Sequence, residues 1–245
     1  MHDIWRYGNT QNVICNPKYF WRSNLGTNDR HYEVYVTLVE EEITIQLINK
    51  MPKSSEERHL ELLDKQWVQI KEPKSIALSI LVSIPIMVLN TFFTILLISV
   101  VSPISLIDFG INGSSISISI NGSEILGILL ILVIHEFIHL IFIPNFMKSD
   151  KTFIGVTIIG GFVYSEEMIT KSRYILITMA PFIIISVILP LLLGIIGLLN
   201  PLAKFLILLN SMGSSVDILN LILIALQIPS NSYLTSNGTN TYWKM

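Results

Sequence analysis

Four long apolar stretches leave this chain few folds to choose from. They lie at about residues 76–101, 125–143, 174–199 and 202–228. A helix that crosses a bilayer needs about 20 mostly apolar residues, so each stretch qualifies, the second narrowly. Pro144 stops the second and Pro229 ends the fourth. Pro85, Pro181 and Pro190 lie inside the others, where neighbouring helices can satisfy the carbonyls that a proline frees. Only 14% of the 245 residues are charged, against about 25% in soluble domains. The predicted fold class is therefore an all-α membrane protein. Its core is a four-helix transmembrane bundle at residues 76–230. A small β-containing N-terminal cytoplasmic head (1–75), short membrane-associated hairpins and a polar C-terminal tail (231–245) complete it.

The head carries two alternating runs, Tyr32-Glu33-Val34-Tyr35-Val36-Thr37-Leu38 and Ile43-Thr44-Ile45-Gln46-Leu47, separated by three glutamates. That pattern predicts a β-hairpin. Residues 53–65 are charged and predict a short surface helix. No continuous apolar segment opens the chain, so insertion is expected to rely on an internal span. Ser115-Ile116-Ser117-Ile118-Ser119-Ile120 alternates between Asn-Gly pairs and predicts a strand at the outer surface. Residues 152–164 are apolar, too short to span, and split by Gly160-Gly161. They predict a hairpin against the membrane. It is either an edge strand that could hold an extended peptide or a loop packed on the helices.

Lysine and arginine set the orientation. Arg58, Lys65, Lys71 and Lys74 precede the first span, and Lys148, Lys151, Lys171 and Arg173 lie between the second and third. The loop at 102–124 holds neither residue type. Both termini are then expected in the cytoplasm. Lys204 opposes that scheme mildly and is expected to snorkel to the interface. A net charge of -2 without a basic run points away from nucleic acid. The single cysteine, Cys15, excludes an intrachain disulfide and a cysteine-based zinc cluster.

The second stretch contains His135-Glu136-Phe137-Ile138-His139, an H-E-x-x-H motif. Residues four apart share a helix face, so both imidazoles can grip one metal ion, with Glu136 beside it as a general base. Ionisable side chains at membrane depth are costly and mark function by default. A catalytic zinc ion usually takes three protein ligands and a water. Glu124 is about 16 Å of helix away from His135, and Glu166 and Glu167 lie outside the spans. Asp217 is the carboxylate inside the third and fourth spans, and it is the expected third ligand. Asn210, Ser214, Asp217 and Asn220 follow one another at helical spacing and form one stripe. Asn210, Ser214 and Asn220 are auxiliary or substrate-binding candidates, with interhelical hydrogen bonding the plainer role for the two asparagines. Gly213 and the adjacent serines permit close helix approach. The chemistry this predicts is zinc-assisted peptide hydrolysis with Glu136 moving the proton.

Over roughly residues 65–230 the chain resembles the putative zincin peptidase family of bacterial multi-pass membrane proteins, itself similar to site-2-type intramembrane metalloproteases. Five segments carry the likeness. They are Trp67-Val68-Gln69-Ile70-Lys71-Glu72-Pro73, the motif at 135–139, Tyr164-Ser165-Glu166-Glu167, Ala180-Pro181-Phe182 and residues 213–218. The resemblance implies Zn2+ as cofactor, with His135, His139 and Asp217 as its ligands and Glu136 as the base. It also implies a membrane protein or peptide substrate and a bacterial cell membrane. Site-2 enzymes place the aspartate before glycine, whereas here Asp217 precedes Ile218. Two other readings share the same ligands or motif: a non-enzymatic membrane metal-binding or transport component, and a membrane adaptor with a vestigial motif. The asparagines of Asn112-Gly113-Ser114, Asn121-Gly122-Ser123 and Asn237-Gly238-Thr239 match a short glycosylation pattern that is common by chance.

Overall fold

The computed structural model describes residues 19–20, 37–38, 46–48, 50–113, 115–116, 121–157 and 160–245. The hairpin expected at 32–38 and 43–47 falls mostly outside them. Its described ends pair elsewhere. Strand β1 (Tyr19–Phe20) pairs antiparallel with β2 (Thr37–Leu38), while β3 (Gln46–Ile48) finds its partner far downstream. Helix α1 (Glu56–Asp64) begins at Ser55, whose side chain accepts the Arg58 amide, and its first turn holds Glu56 and Glu57. Both features suit a helix N-terminus. Strand β4 (Val68–Gln69) follows.

Helix α2 (Ile76–Val101) runs unbroken through Pro85. A 3-10 turn at Leu106–Phe109 leads to the small antiparallel pair β5 (Ile111–Asn112) and β6 (Ser115–Ile116). Residues 117–120 of the expected outer strand lie outside the described set. Helix α3 (Gly122–Phe142) is followed by the hairpin β7 (Thr152–Thr157) and β8 (Gly160–Ser165), then by β9 (Ile169–Thr170). The third helical run comprises α4 (Lys171–Pro181), a π-helical segment at Phe182–Ile188 and α5 (Leu189–Ile195). The fourth comprises α6 (Pro201–Gly213) and α7 (Ser215–Gln227), which meet at Ser214. Strands β10 (Tyr233–Asn237) and β11 (Asn240–Lys244) end the described chain.

Four helical runs are long and apolar enough to cross a membrane: Ile76–Val101, Gly122–Phe142, Lys171–Ile195 and Pro201–Gln227. The last two bury more of themselves than the first two. Helix α2 packs on α5, α6 and α7, and α3 packs on α4, α6 and β8. Buried hydroxyls join α2 to the fourth run: Thr94 and Ser211 share a hydrogen bond of 2.8 Å, and Ser215 donates to Ser83 at 3.2 Å. Such contacts are worth about 0.6 kcal/mol each in lipid. Their larger effect is to fix which faces meet. Gly194 lets α5 approach α2, since a Cβ there would sit 2.5 Å from Val101 Cγ2.

Lys204 stands in the first turn of α6. It is buried, and its Nζ donates to the Pro103 carbonyl at 2.7 Å and to Asp108 Oδ2 at 2.9 Å. That cation holds the Asp108 carboxyl below its ordinary range. That counter-ion was not legible in hydropathy, because it lies in a loop remote in sequence.

There is more β structure than the sequence led us to expect. One sheet has the order β3-β7-β8, with β3 parallel to β7, so β8 is at its edge. A second has the order β4-β11-β10-β9. The segment 231–245, expected to be a polar tail, supplies the two central strands of that second sheet. Tyr242 and Leu234 are fully buried. Gly238 and Thr239 make the two-residue turn between Asn237 and Asn240, with Gly238 at φ 58° against the Ser54 backbone. Glycine at the first of two loop residues suits such a tight hairpin. Thr241 donates to Glu72 from both its amide and its hydroxyl. At the same end, Lys171 Nζ donates to the Ile228 carbonyl and Arg173 Nε to the Phe142 carbonyl, closing the C-terminal ends of α7 and α3.

Candidate metal centre

His135 and His139 stand one turn apart on α3 with ring centroids 4.9 Å apart. Asp217 comes from the first turn of α7, just after the fourth run changes from α6 to α7 at Ser214. A helix N-terminus favours a carboxylate, and helices interrupted at mid-span recur where membrane proteins hold ions. His135 Nε2 lies 3.3 Å from Asp217 Oδ2, and His139 Nε2 lies 3.6 Å from Asp217 Oδ1. The two Nε2 atoms are 3.2 Å apart. Among the described residues this is the one group of three or more His, Cys, Asp or Glu side chains whose ligand atoms converge, all within 4.8 Å.

The outer hydrogen bonds decide what the convergence means. His139 Nδ1 lies 2.8 Å from the Ile177 carbonyl, which can only accept. His139 therefore carries its proton on Nδ1. Asn210 uses Nδ2 to donate to Ser186 Oγ at 2.9 Å and to the Pro181 carbonyl at 3.4 Å. Its Oδ1 then faces His135 Nδ1 at 2.8 Å, so that ring also carries its proton on Nδ1. In their neutral forms both Nε2 atoms present lone pairs to the same point as the Asp217 carboxylate. Three acceptors with no donor between them suit a cation. Donors about 2.0–2.2 Å from a tetrahedral zinc ion stand about 3.3 Å from one another; the two Nε2 atoms stand 3.2 Å apart, and each lies 3.3–3.6 Å from a different oxygen of Asp217, so the group is close enough to share one ion. Zinc ligands that are oriented by a second hydrogen bond on the far ring nitrogen are the rule.

Glu136 is one residue on from His135 and so faces a different side of α3, toward β8. A Cβ on Gly161 would lie 2.6 Å from Glu136 Cγ, so only glycine lets the strand come this close. The Val163 backbone amide also faces the Glu136 carboxylate. Ser214 donates to the Asn210 carbonyl at 3.0 Å and is fully buried, which makes it part of the helix junction. Asn220 is partly buried on α7 and, among the described residues, makes no hydrogen bond to His135, His139 or Asp217. The other carboxylates weighed as ligands are occupied elsewhere. Glu124 caps the start of α3, Glu166 accepts from Tyr164 and Glu167 accepts from Ser149.

Four contributors have no part in the site as read from the sequence: the Ile177 carbonyl, Pro181, Ser186 and Gly161, although Pro181 is noted there inside the third span and Gly161 at the hairpin break. The first two shared a readable signal. A proline in a helix frees the carbonyl four residues earlier, and Pro181 stands four residues after Ile177.

Residues 128–233 match the model of a family described as "Putative zincin peptidase". The match runs from α3 to the start of β10 and includes His135, Glu136, His139 and Asp217. No curated protein matches the chain, and no solved structure does.

Proposed function

We propose that this protein is a zinc-dependent metalloendopeptidase whose site lies within the membrane, near its cytoplasmic face. The observation that carries the reading is the convergence of three ligand groups, His135 Nε2, His139 Nε2 and the Asp217 carboxylate, on one point. The zincin-type family match over residues 128–233 supports it.

Zinc held there would supply Lewis acidity, lowering the pKa of a water toward about 7 and polarising a peptide carbonyl. The chain's own residues supply the rest. Glu136 takes a proton from the attacking water and returns it to the leaving amide nitrogen. Gly161 and the Val163 amide keep its carboxylate against β8. Asn210 and the Ile177 carbonyl hold the imidazoles so that their lone pairs stay inward. The substrate is a membrane-associated protein or peptide. Its scissile segment must leave helical conformation, because a helix hides its carbonyls in its own hydrogen bonds. Strand β8, at the edge of its sheet and beside Glu136, offers backbone groups to such an extended segment. Lys71, Lys74, Lys148, Lys151, Lys171 and Arg173 favour a cytoplasmic placement of that end and of both termini.

The test pairs metal analysis with cleavage. Wild-type protein purified in detergent should hold one zinc ion and cleave a transmembrane or fluorogenic peptide. Glu136→Gln should keep the zinc and lose about 10²–10⁴-fold in rate. Equal cleavage by both proteins would end the proposal. Zinc uptake into proteoliposomes that survives Glu136→Gln and is lost in His135→Ala would identify a transport component instead.

A further inference from the structure

The third helical run is irregular where it passes the histidines, and the irregularity starts at one residue. Pro181 has no amide hydrogen, so the Ile177 carbonyl, four residues earlier, loses its helical partner. That carbonyl instead accepts from His139 Nδ1. Directly after Pro181 the backbone takes π geometry over Phe182–Ile188. Such a segment changes which backbone groups are paired, and it recurs at functional sites. Within it, Ser186 donates to the Ile207 carbonyl on α6 and accepts from Asn210 Nδ2. The Pro181 carbonyl takes the second Asn210 bond. With both amide hydrogens engaged, Asn210 has only Oδ1 to offer His135.

We propose that Pro181 and the π-segment after it are a positioning device that sets the tautomer of both histidines. His139 is set directly through the Ile177 carbonyl, and His135 through Ser186 and Asn210. Pro181, Ser186 and Asn210 are positioning residues, since none is placed on the reacting atoms. The inference rests on the metal-site reading for its purpose, although the tautomers themselves can be measured without metal.

The experiment uses the full chain in detergent micelles, labelled with 15N-histidine and stripped of metal, at a pH where both rings are neutral. Nitrogen chemical shifts report which ring nitrogen is protonated. Zinc affinity is then measured by competition with a chromophoric chelator. Wild-type protein should show Nδ1-protonated rings at both positions. Pro181→Ala restores an amide that competes for the Ile177 carbonyl. His139 should then exchange between tautomers, and zinc affinity should fall about 10–100-fold, the usual effect of losing an outer hydrogen bond to a ligand. Asn210→Leu should release His135 and spare His139. Asn210→Asp, which keeps an acceptor oxygen, should retain the Nδ1-protonated His135. A thermal scan checks that each variant is folded. The proposal is overturned if His139 stays Nδ1-protonated with unchanged zinc affinity in Pro181→Ala, or if His135 does so in Asn210→Leu. If wild-type protein binds no zinc while both rings remain Nδ1-protonated and respond to the substitutions as described, the positioning device stands and the metallopeptidase reading falls.

Discussion

At the scale of single residues, the absence of a side chain at 161 is as informative as the presence of one at 136. A methyl group there would sit 2.6 Å from Glu136 Cγ. Either the strand retreats or the carboxylate turns away. Gly161→Ala should therefore lower the rate of peptide cleavage by about tenfold or more, because a misplaced catalytic group is costly. Zinc affinity should stay near that of wild type, since neither His135, His139 nor Asp217 touches the added carbon. Steady-state kinetics beside chelator competition measures the two effects separately. This scale was partly legible in the sequence. His135, Glu136 and His139 declare themselves by spacing, and Asp217 by being an acid among apolar neighbours. The Ile177 carbonyl carries no side-chain signature, and Gly161 has meaning only once β8 is known to lie against α3.

At the scale of elements, polar contacts decide where apolar helices stop and how they are tied together. Lys204 on α6 is bound to Asp108 and the Pro103 carbonyl in the loop that precedes α3. Lys204→Met keeps the packed stem but removes the cation. It should cost about 2 kcal/mol, the scale of a hydrogen bond to a charged group, read as an earlier unfolding transition in detergent. Glu72, just ahead of α2, behaves differently. Burial raises its pKa from an ordinary 4.5 to about 7, and the two Thr241 bonds offset only part of that. Folded protein thus binds more protons than unfolded protein between pH 4.5 and about 7. Stability must fall as pH rises through that window. Hydrogen exchange at β11 should accelerate from pH 5.5 to pH 8 beyond its intrinsic dependence, by roughly tenfold or more. Glu72→Gln should flatten that excess. The apolar runs gave the helices away in advance, with boundaries close to those observed. The join at Ser214 and the π-segment were not visible, because both depend on what the neighbouring helices present.

At the scale of the whole molecule, the site is assembled from α3 and α7, with α4 and α6 orienting it. Metal binding should therefore report on the entire fold. Free zinc at about 100 times its dissociation constant should stabilise the protein by about 2.7 kcal/mol. The unfolding midpoint should rise accordingly, fall back with a chelator, and fail to respond in Asp217→Ala. The same scale shows where sequence reading ran short. The segment after Pro229 looked like a solvated tail because its polar residues were counted and its alternation was not. Tyr233, Leu234, Tyr242 and Trp243 flank a Gly-Thr turn.

That closing hairpin has a practical consequence. Met245 is exposed, whereas Tyr242 three residues inward is wholly enclosed and Asn237 is bonded to Ser55. An affinity tag or fluorescent reporter fused after the last residue extends into open solvent. Trimming even five residues from that end would strip the partner strand from β4 and remove Thr241, the donor of both hydrogen bonds to Glu72.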